Sequence, residues 1–325
     1  MSTLAPASLA PAVWAAERDL TLAARSVVHR FRSGRGVGPI DLDVFAGEAV
    51  ALMGPNGCGK TTLLRVLATV ARAQRGTVQW WGGDAGSARA RLGLALDGAL
   101  EDAGLTGRQA THFWCAQWVP DAGEVALRTE SVLRRLTLTA AADDRVGTYS
   151  YGMRRRLALA AALVHEPALA VLDEPTAGLD PEGSAGLEQL IAERAAAGRT
   201  TILASNDPRF VESVADRVVF IDEGSLVRCA SPGDLLADLP QGRVAELVVD
   251  GDPDLAGLRS LVGVVEVTSH AGSAVRVRFT GDRTVAALVA AADAPGGRLR
   301  EVRLRRPDLS DCFRDLTGRA LEERP

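Results

Sequence analysis

Lys60 is the only lysine in 325 residues, whereas 36 of the 37 basic side chains are arginine. It stands in Gly54-Pro55-Asn56-Gly57-Cys58-Gly59-Lys60-Thr61-Thr62, which fits the phosphate-loop pattern G-x-x-x-x-G-K-[ST]. A lysine placed at random would fall on that position about once in 325 tries, so chance is a poor account of it. The physical reason for lysine there is reach. A compact ammonium on a flexible stem fits between β- and γ-phosphates, whereas arginine's planar fork is wide. The flanks agree with the motif: the apolar run Ala49 to Met53 predicts a buried strand feeding the loop, and Leu63, Leu64 and Leu67 predict one side of a helix starting near Lys60. Such a loop surrounds phosphates with backbone N–H groups, adds the partial charge of a helix N-terminus, and lets Thr61 offer a hydroxyl to Mg²⁺. The segment from Gly54 to Thr62 is therefore expected to bind nucleotide.

A second apolar run, Leu169 to Leu172, ends in Asp173 and Glu174, the pattern of a buried strand delivering acids to its C-terminal end. Asp173 there can hold Mg²⁺ through its hydration shell, which leaves Glu174 to act as a base. Downstream, Asp180-Pro181-Glu182 reads as an N-cap, a first-turn proline and an acid facing the helix dipole. Leu187, Leu190 and Ile191 supply a buried stripe, and Gly198 a stop. A strand from Thr200 to Ala204 follows, so the order strand, helix, strand predicts a parallel sheet.

Composition narrows the class. The longest apolar runs, Leu157 to Val164 and Val285 to Ala292, are far shorter than the roughly 20 residues that span a bilayer. The first 19 residues are rich in Ala and Pro without a basic start, and are expected to be a disordered tail rather than a secretory signal. Four scattered cysteines without a C-x-x-C pair argue against a zinc site or a disulfide framework. With a net charge of −4 and no long basic block, the chain lacks the electrostatic footprint of a nucleic-acid binder. Arg154-Arg155-Arg156 is expected to be a solvated helix face.

Between the phosphate loop and Asp173 lies Tyr149-Ser150-Tyr151-Gly152-Met153-Arg154-Arg155-Arg156-Leu157, and after it Asp173-Glu174-Pro175-Thr176-Ala177-Gly178-Leu179-Asp180. In this order the motifs resemble the nucleotide-binding domain of ATP-binding cassette (ABC) transporters over roughly residues 20 to 230. The resemblance implies an α/β fold, a P-loop ABC cassette with a RecA-like core, an antiparallel β subdomain and a helical subdomain at about 85–148 that meets a membrane partner. It implies ATP and Mg²⁺ as cofactors. Ser150, Tyr151, Gly152 and Met153 correspond to the signature motif, which grips the γ-phosphate held by a second subunit, and Asp180 to the D-loop. Phe31 aligns with the segment that stacks on adenine, with a buried strand aromatic as the other reading. Trp114 and Trp118, at i, i+4, share a helix face, either a core face or the surface that receives the membrane subunit. Two positions depart from the family. Asp97 stands where a glutamine usually faces Mg²⁺, and Asn206 where a histidine usually contacts the γ-phosphate. Asparagine donates a hydrogen bond but carries no charge, so hydrolysis slower than in a histidine-bearing relative is expected. Cys58 in the loop raises an expectation of sensitivity to thiol reagents.

After Ser231 the pattern changes to alternating strands, Val244 to Val249, Val264 to Thr268, Ala274 to Thr280 and Arg298 to Arg305. Helices are predicted at Thr284 to Ala292 and after an N-cap at Asp308. This predicts a small α+β domain over 240–325, following an ATP-binding domain at 20–235. Its ending resembles antibiotic-exporter ATPases of the daunorubicin-resistance type. The expected protein is thus the ATP-hydrolysing subunit of a type-2 exporter on the cytoplasmic face of the membrane. Its partners would be a separately encoded permease and a second ATP-binding subunit, more readily an identical one. A soluble non-transport ABC ATPase and the degenerate half of a heterodimer are the alternatives.

Overall fold

The computed structural model describes residues 19–96, 103–240, 242–251, 253–269, 274–281, 284–293 and 297–321. Residues 1–18 of the expected tail, and Asp97, lie outside the described residues. The chain divides into two compact units, Met1–Pro232 with Leu316–Pro325, and Gly233–Asp315.

The first unit holds two sheets. The larger runs β5 (Leu92–Ala95), β6 (Leu169–Asp173), β7 (Thr200–Ala204), β3 (Ala49–Met53), β8 (Arg217–Asp222), β9 (Ser225–Ala230) in spatial order. Its pairs are parallel except β8 with β9. Strands β3, β6 and β7 are buried at every residue, which is why β3 and the Leu169–Leu172 part of β6 read as unbroken apolar runs rather than alternations. The smaller sheet is antiparallel, β2 (Gly36–Phe45), β1 (Leu20–Arg30), β4 (Arg75–Trp80). Helix α1 (Lys60–Leu67) buries Leu63, Leu64 and Leu67 in one core with Val50, Leu52, Val171 and Ile202 of the large sheet and Leu22 and Ile40 of the small one.

The segment 85–148 contains α2 (Ala85–Ala88), β5, α3 (Gly107–Ala116) and α4 (Ala122–Arg135). It is not helical throughout, because β5 pairs with β6 inside the large sheet. Helix α3 begins with a capping box between Thr106 and Gln109, and α4 with Asp121 accepting the Glu124 N–H at 2.7 Å. Helices α5 (Tyr151–Leu163), α6 (Pro181–Ala196) and α7 (Pro208–Val214) complete this unit. The signals read for α6 operate as expected: Asp180 accepts the Gly183 N–H at 2.7 Å, Pro181 opens the helix, and Gly198 ends it at a φ of +72°.

At the start of the second unit lies α8 (Pro232–Ala237). An antiparallel sheet follows in the order β11 (Val264–Ser269), β12 (Ala274–Phe279), β10 (Arg243–Gly251), β13 (Gly297–Arg305). Its apolar core joins Ala245, Leu247, Val275, Val277 and Phe279 to Leu258 of α9 (Leu255–Ser260) and Leu288 of α10 (Thr284–Ala292). The last helix is α11 (Leu309–Thr317).

Candidate nucleotide site

The phosphate loop joins β3 to α1 at the C-terminal edge of the parallel sheet, where ligands of open α/β sheets collect. Two of its glycines are dictated by space. A Cβ on Gly54 would lie 2.0 Å from the Ile221 carbonyl oxygen, and one on Gly59 2.3 Å from the Val37 side chain. Both also have positive φ, +159° and +113°. The Lys60 side chain is buried and folds over the loop, its ammonium donating to the carbonyl oxygens of Gly54 and, at 3.4 Å, Pro55. Cys58 is buried as well, and burial pushes its thiol up despite nearby Lys60, which weighs against ready attack by thiol reagents.

The loop opens on a cleft of about 480 Å³. Phe31, Asn56, Gly57, Lys60, Thr61 and Thr62 line one part of it, and Asp173, Glu174, Tyr151 and Arg155 the other. Phe31 is 47% exposed and meets the His29 ring in an edge contact at 5.2 Å, so the buried-strand reading of it is excluded. Asp173, the last residue of β6, is buried. Glu174 follows in a left-handed conformation, φ +45°, which costs a non-glycine residue about 1–3 kcal/mol. That conformation is held from several sides. Its N–H donates to the Ala204 carbonyl at 2.8 Å, and the Asn206 N–H donates to its carboxylate. Burial raises the Glu174 pKa, and the adjacent Asp173 charge adds to this, while Lys60 and Arg155 oppose it. A proton acceptor with elevated basicity at the end of a buried strand is what general-base chemistry near neutral pH needs.

Asn206 sits just past β7, and its Oδ1 accepts the Gly54 N–H at 3.3 Å. It thus links the end of β7 to the first glycine of the phosphate loop. The donor set fits Mg²⁺: Thr61 and Asp173 bring a hydroxyl and a carboxylate to the same cleft, and hard oxygens with few protein carboxylates suit this ion. Asp97 cannot be placed in this set because it lies outside the described residues.

Ser150 caps α5 by accepting the Met153 N–H at 3.2 Å, so Tyr151, Gly152 and Met153 form its first turn. Gly152 is there for contact: a Cβ would come within 2.9 Å of the Gly178 carbonyl oxygen, so α5 and the segment before Asp180 touch backbone to backbone. Tyr151 is exposed at the cleft. Asp180, besides capping α6, faces Arg156 at 3.7 Å. The arginine run is not a solvated face, contrary to expectation. Arg155 donates to the carbonyl oxygens of Asp173 at 3.1 Å and Glu174 at 3.3 Å, and Arg156 donates to Thr137. Arg155 is the site residue that sequence reasoning missed; the available signal was its position one turn into a helix whose N-terminus was already assigned to the site. Trp114 and Trp118, 39% and 45% exposed, do not form a core face; with exposed Phe113 they stand on the surface of α3 and just beyond it, Trp118 stacked on His165 at 5.3 Å.

A two-sheet P-loop cassette with this motif order defines the class. The ABC transporter family model matches residues 37–177. The chain is 34% identical to the daunorubicin resistance ATP-binding protein DrrA2 of Streptomyces coeruleorubidus, over 92% of this chain and 95% of the relative. It is 30% identical to the doxorubicin resistance ATP-binding protein DrrA of Mycobacterium tuberculosis, over 92% and 94%. It is 29% identical to the linearmycin resistance ATP-binding protein LnrL of Bacillus subtilis, over 87% and 94%. Among solved structures, the ATP-binding subunit of an ABC transporter matches with a TM-score of 0.62 at 22% identity, over 67% of this chain and 92% of the other. A dimeric cassette in a post-hydrolysis state with ADP and Pi, MJ0796, matches with a TM-score of 0.58 at 21% identity, over 65% and 98%. The chain belongs to the family of ABC transporter ATP-binding proteins and is an ATPase of that family. Neither a non-transport ATPase nor a degenerate half-site is favoured by these relatives.

Proposed function

We propose that this chain is the motor subunit of a type-2 exporter, a peripheral protein that binds Mg-ATP on the cytoplasmic face and drives efflux through a separate membrane permease. One observation carries the chemistry: Lys60, Thr61, Asp173 and Glu174 converge on a single cleft with an exposed aromatic, Phe31, at its side. Phe31 stacks on the base. The backbone of residues 54–59 and the Lys60 ammonium take the β- and γ-phosphates, and their partial and full positive charges are set in place before the reaction begins. Thr61 and Asp173 hold Mg²⁺, which when bound neutralises charge on the phosphate oxygens. Glu174 orients a water and accepts its proton at the carboxylate, and its raised pKa matches that task.

The relatives' printed functions, resistance to daunorubicin, doxorubicin and linearmycin, support an antibiotic-like cargo. Exposed Ser150 and Tyr151 at the start of α5 face a second cassette, most simply a copy of this chain, so that ATP bound to one subunit is gripped by the other. The exposed aromatic group of Phe113, Trp114 and Trp118 supports docking of the permease there. The test is steady-state ATPase turnover of the purified chain beside Glu174→Gln, with ATP-dependent dimerisation followed in the same samples. Turnover abolished by the variant, with a dimer trapped in ATP, is expected. ATP binding without turnover in the unaltered chain would overturn the self-sufficient homodimer.

A further inference from the structure

The phosphate chemistry leaves one part of the α5 arginine run without a role. Arg156 ties α5 to Thr137 and Asp180, an ordinary packing duty. Arg155 does something else. Its guanidinium reaches the carbonyl oxygens of Asp173 and Glu174, one on each side of residue Glu174, 18 and 19 positions away in sequence. The second of those carbonyls belongs to a residue in the left-handed region, where a side chain other than glycine stays only if its surroundings hold it.

We propose that Arg155 is a positioning residue for ATP hydrolysis: it clamps the carbonyls of Asp173 and Glu174, keeps the Glu174 carboxylate at the nucleotide cleft, and makes that placement depend on where α5 sits. The proposal rests on the reading of Glu174 as the base. Three observations converge on it. Both bonds leave one terminal nitrogen, Nη2, held by a planar group on a long stem, so one side chain spans two successive carbonyls, which a lysine on its shorter stem does less well. Only one turn of helix separates Arg155 from the Ser150 cap and the Gly152–Gly178 backbone contact, so a shift of the α5 N-terminus reaches the strand end through a short lever. Tyr151, at the exposed start of the helix, lies 5.9 Å from the same guanidinium. The end of α5 assigned to the partner's nucleotide and the base that serves this chain's own nucleotide are thereby joined by one side chain.

The charged and polar groups facing the Glu174 carboxylate are Lys60 from α1, Asp173 from β6, Arg155 from α5 and the Asn206 N–H after β7. Removing Arg155 withdraws one of the two cations among them. The kcat and KM of turnover are to be measured for Arg155→Ala and Arg155→Lys, with Arg154→Ala as a charge control and Glu174→Gln as the control for the base; binding of ATP to each reports on folding. For Arg155→Ala the expected kcat is on the order of 10- to 100-fold lower, with KM changed less than about threefold, as for a group that orients rather than binds. In Arg155→Lys kcat recovers only in part, because the ammonium keeps the charge on a shorter stem that does not hold both carbonyls. A structural role alone would lower ATP binding and kcat together, and that result overturns the proposal. So does an equal loss in Arg154→Ala, or Arg155→Lys behaving as the unaltered chain. If Arg155→Ala does not fold, the Lys variant decides. Wild-type turnover in Arg155→Ala beside an inactive Glu174→Gln sinks the clamp alone; an active Glu174→Gln sinks the base and the clamp with it.

Discussion

Both units of this chain bury cations, and Lys60 of the first is held differently from the paired arginines of the second. In the second unit, Arg276 is buried against Asp311, Arg305 takes the same carboxylate with two bonds of 2.7 and 3.0 Å, and Arg278 holds Asp315 with two of 2.7 and 2.8 Å. Every one of these charges has an opposite charge beside it, and the result fastens α11 to β12 and β13. Lys60 of the first unit is buried with carbonyl oxygens as its hydrogen-bond partners and lines the nucleotide cleft, where its charge acts on an anion. A buried cation in an ion pair fastens a fold; one that opens on a cleft attracts an anion.

Replacing Asp311 with Ala tests the first half of that contrast and carries the largest expected effect. It strands Arg276 and weakens Arg305, so the second unit should lose about 3–5 kcal/mol by urea unfolding. A loss below about 1 kcal/mol would make the network a spectator. For Lys60→Ala the expected pattern is inverted. Turnover falls by about 10²–10³, the scale of a removed charge-stabilising donor, while thermal stability does not fall. A stability loss comparable to that of Asp311→Ala would place Lys60 with the structural cations and break the comparison.

The smallest effect is a difference in sign. Asp311 would be raised by burial, but the Arg305 hydrogen bond and the charges of Arg276 and Arg305 outweigh that and hold it below the usual carboxylate range. Its contribution to stability is present above the unfolded value and lost as pH falls through the folded one. Glu174 is raised by burial, so its contribution is complete below the unfolded value and is lost as pH rises through the folded one. Calorimetry from about pH 4 to about pH 8 should therefore show Glu174→Gln gaining on the unaltered chain as pH rises. Asp311→Asn should lag by a constant amount across that range and converge with the unaltered chain only below about pH 4, as pH falls through the lowered folded value. Parallel curves for the two variants would contradict the assigned environments.

Much of the cassette was legible because its parts announce themselves locally. β7 and α10 occupy the predicted residues, and the loop, the strand-end acids and the α6 caps are short-range patterns. β4 and β5 were not read. β4 is largely exposed and shows little alternation, and β5 has four residues including Gly93, where a Cβ would lie 2.1 Å from the Ala162 carbonyl oxygen. That close approach to α5 explains the glycine but is invisible in a single sequence. The exposed Trp114 and Trp118 carry the same lesson, since i, i+4 spacing shows which face residues share and not whether that face is covered.

The sequence by itself determined that this chain binds nucleotide on a P-loop cassette, because phosphate recognition is built from neighbouring backbone N–H groups and one lysine, all contiguous in the chain. Tertiary structure decided which arginine of three serves the site, why Glu174 has raised basicity and how Asn206 meets Gly54 across 152 positions. Those depend on desolvation and on donors from distant segments, and neither exists until the sheet and α5 have packed.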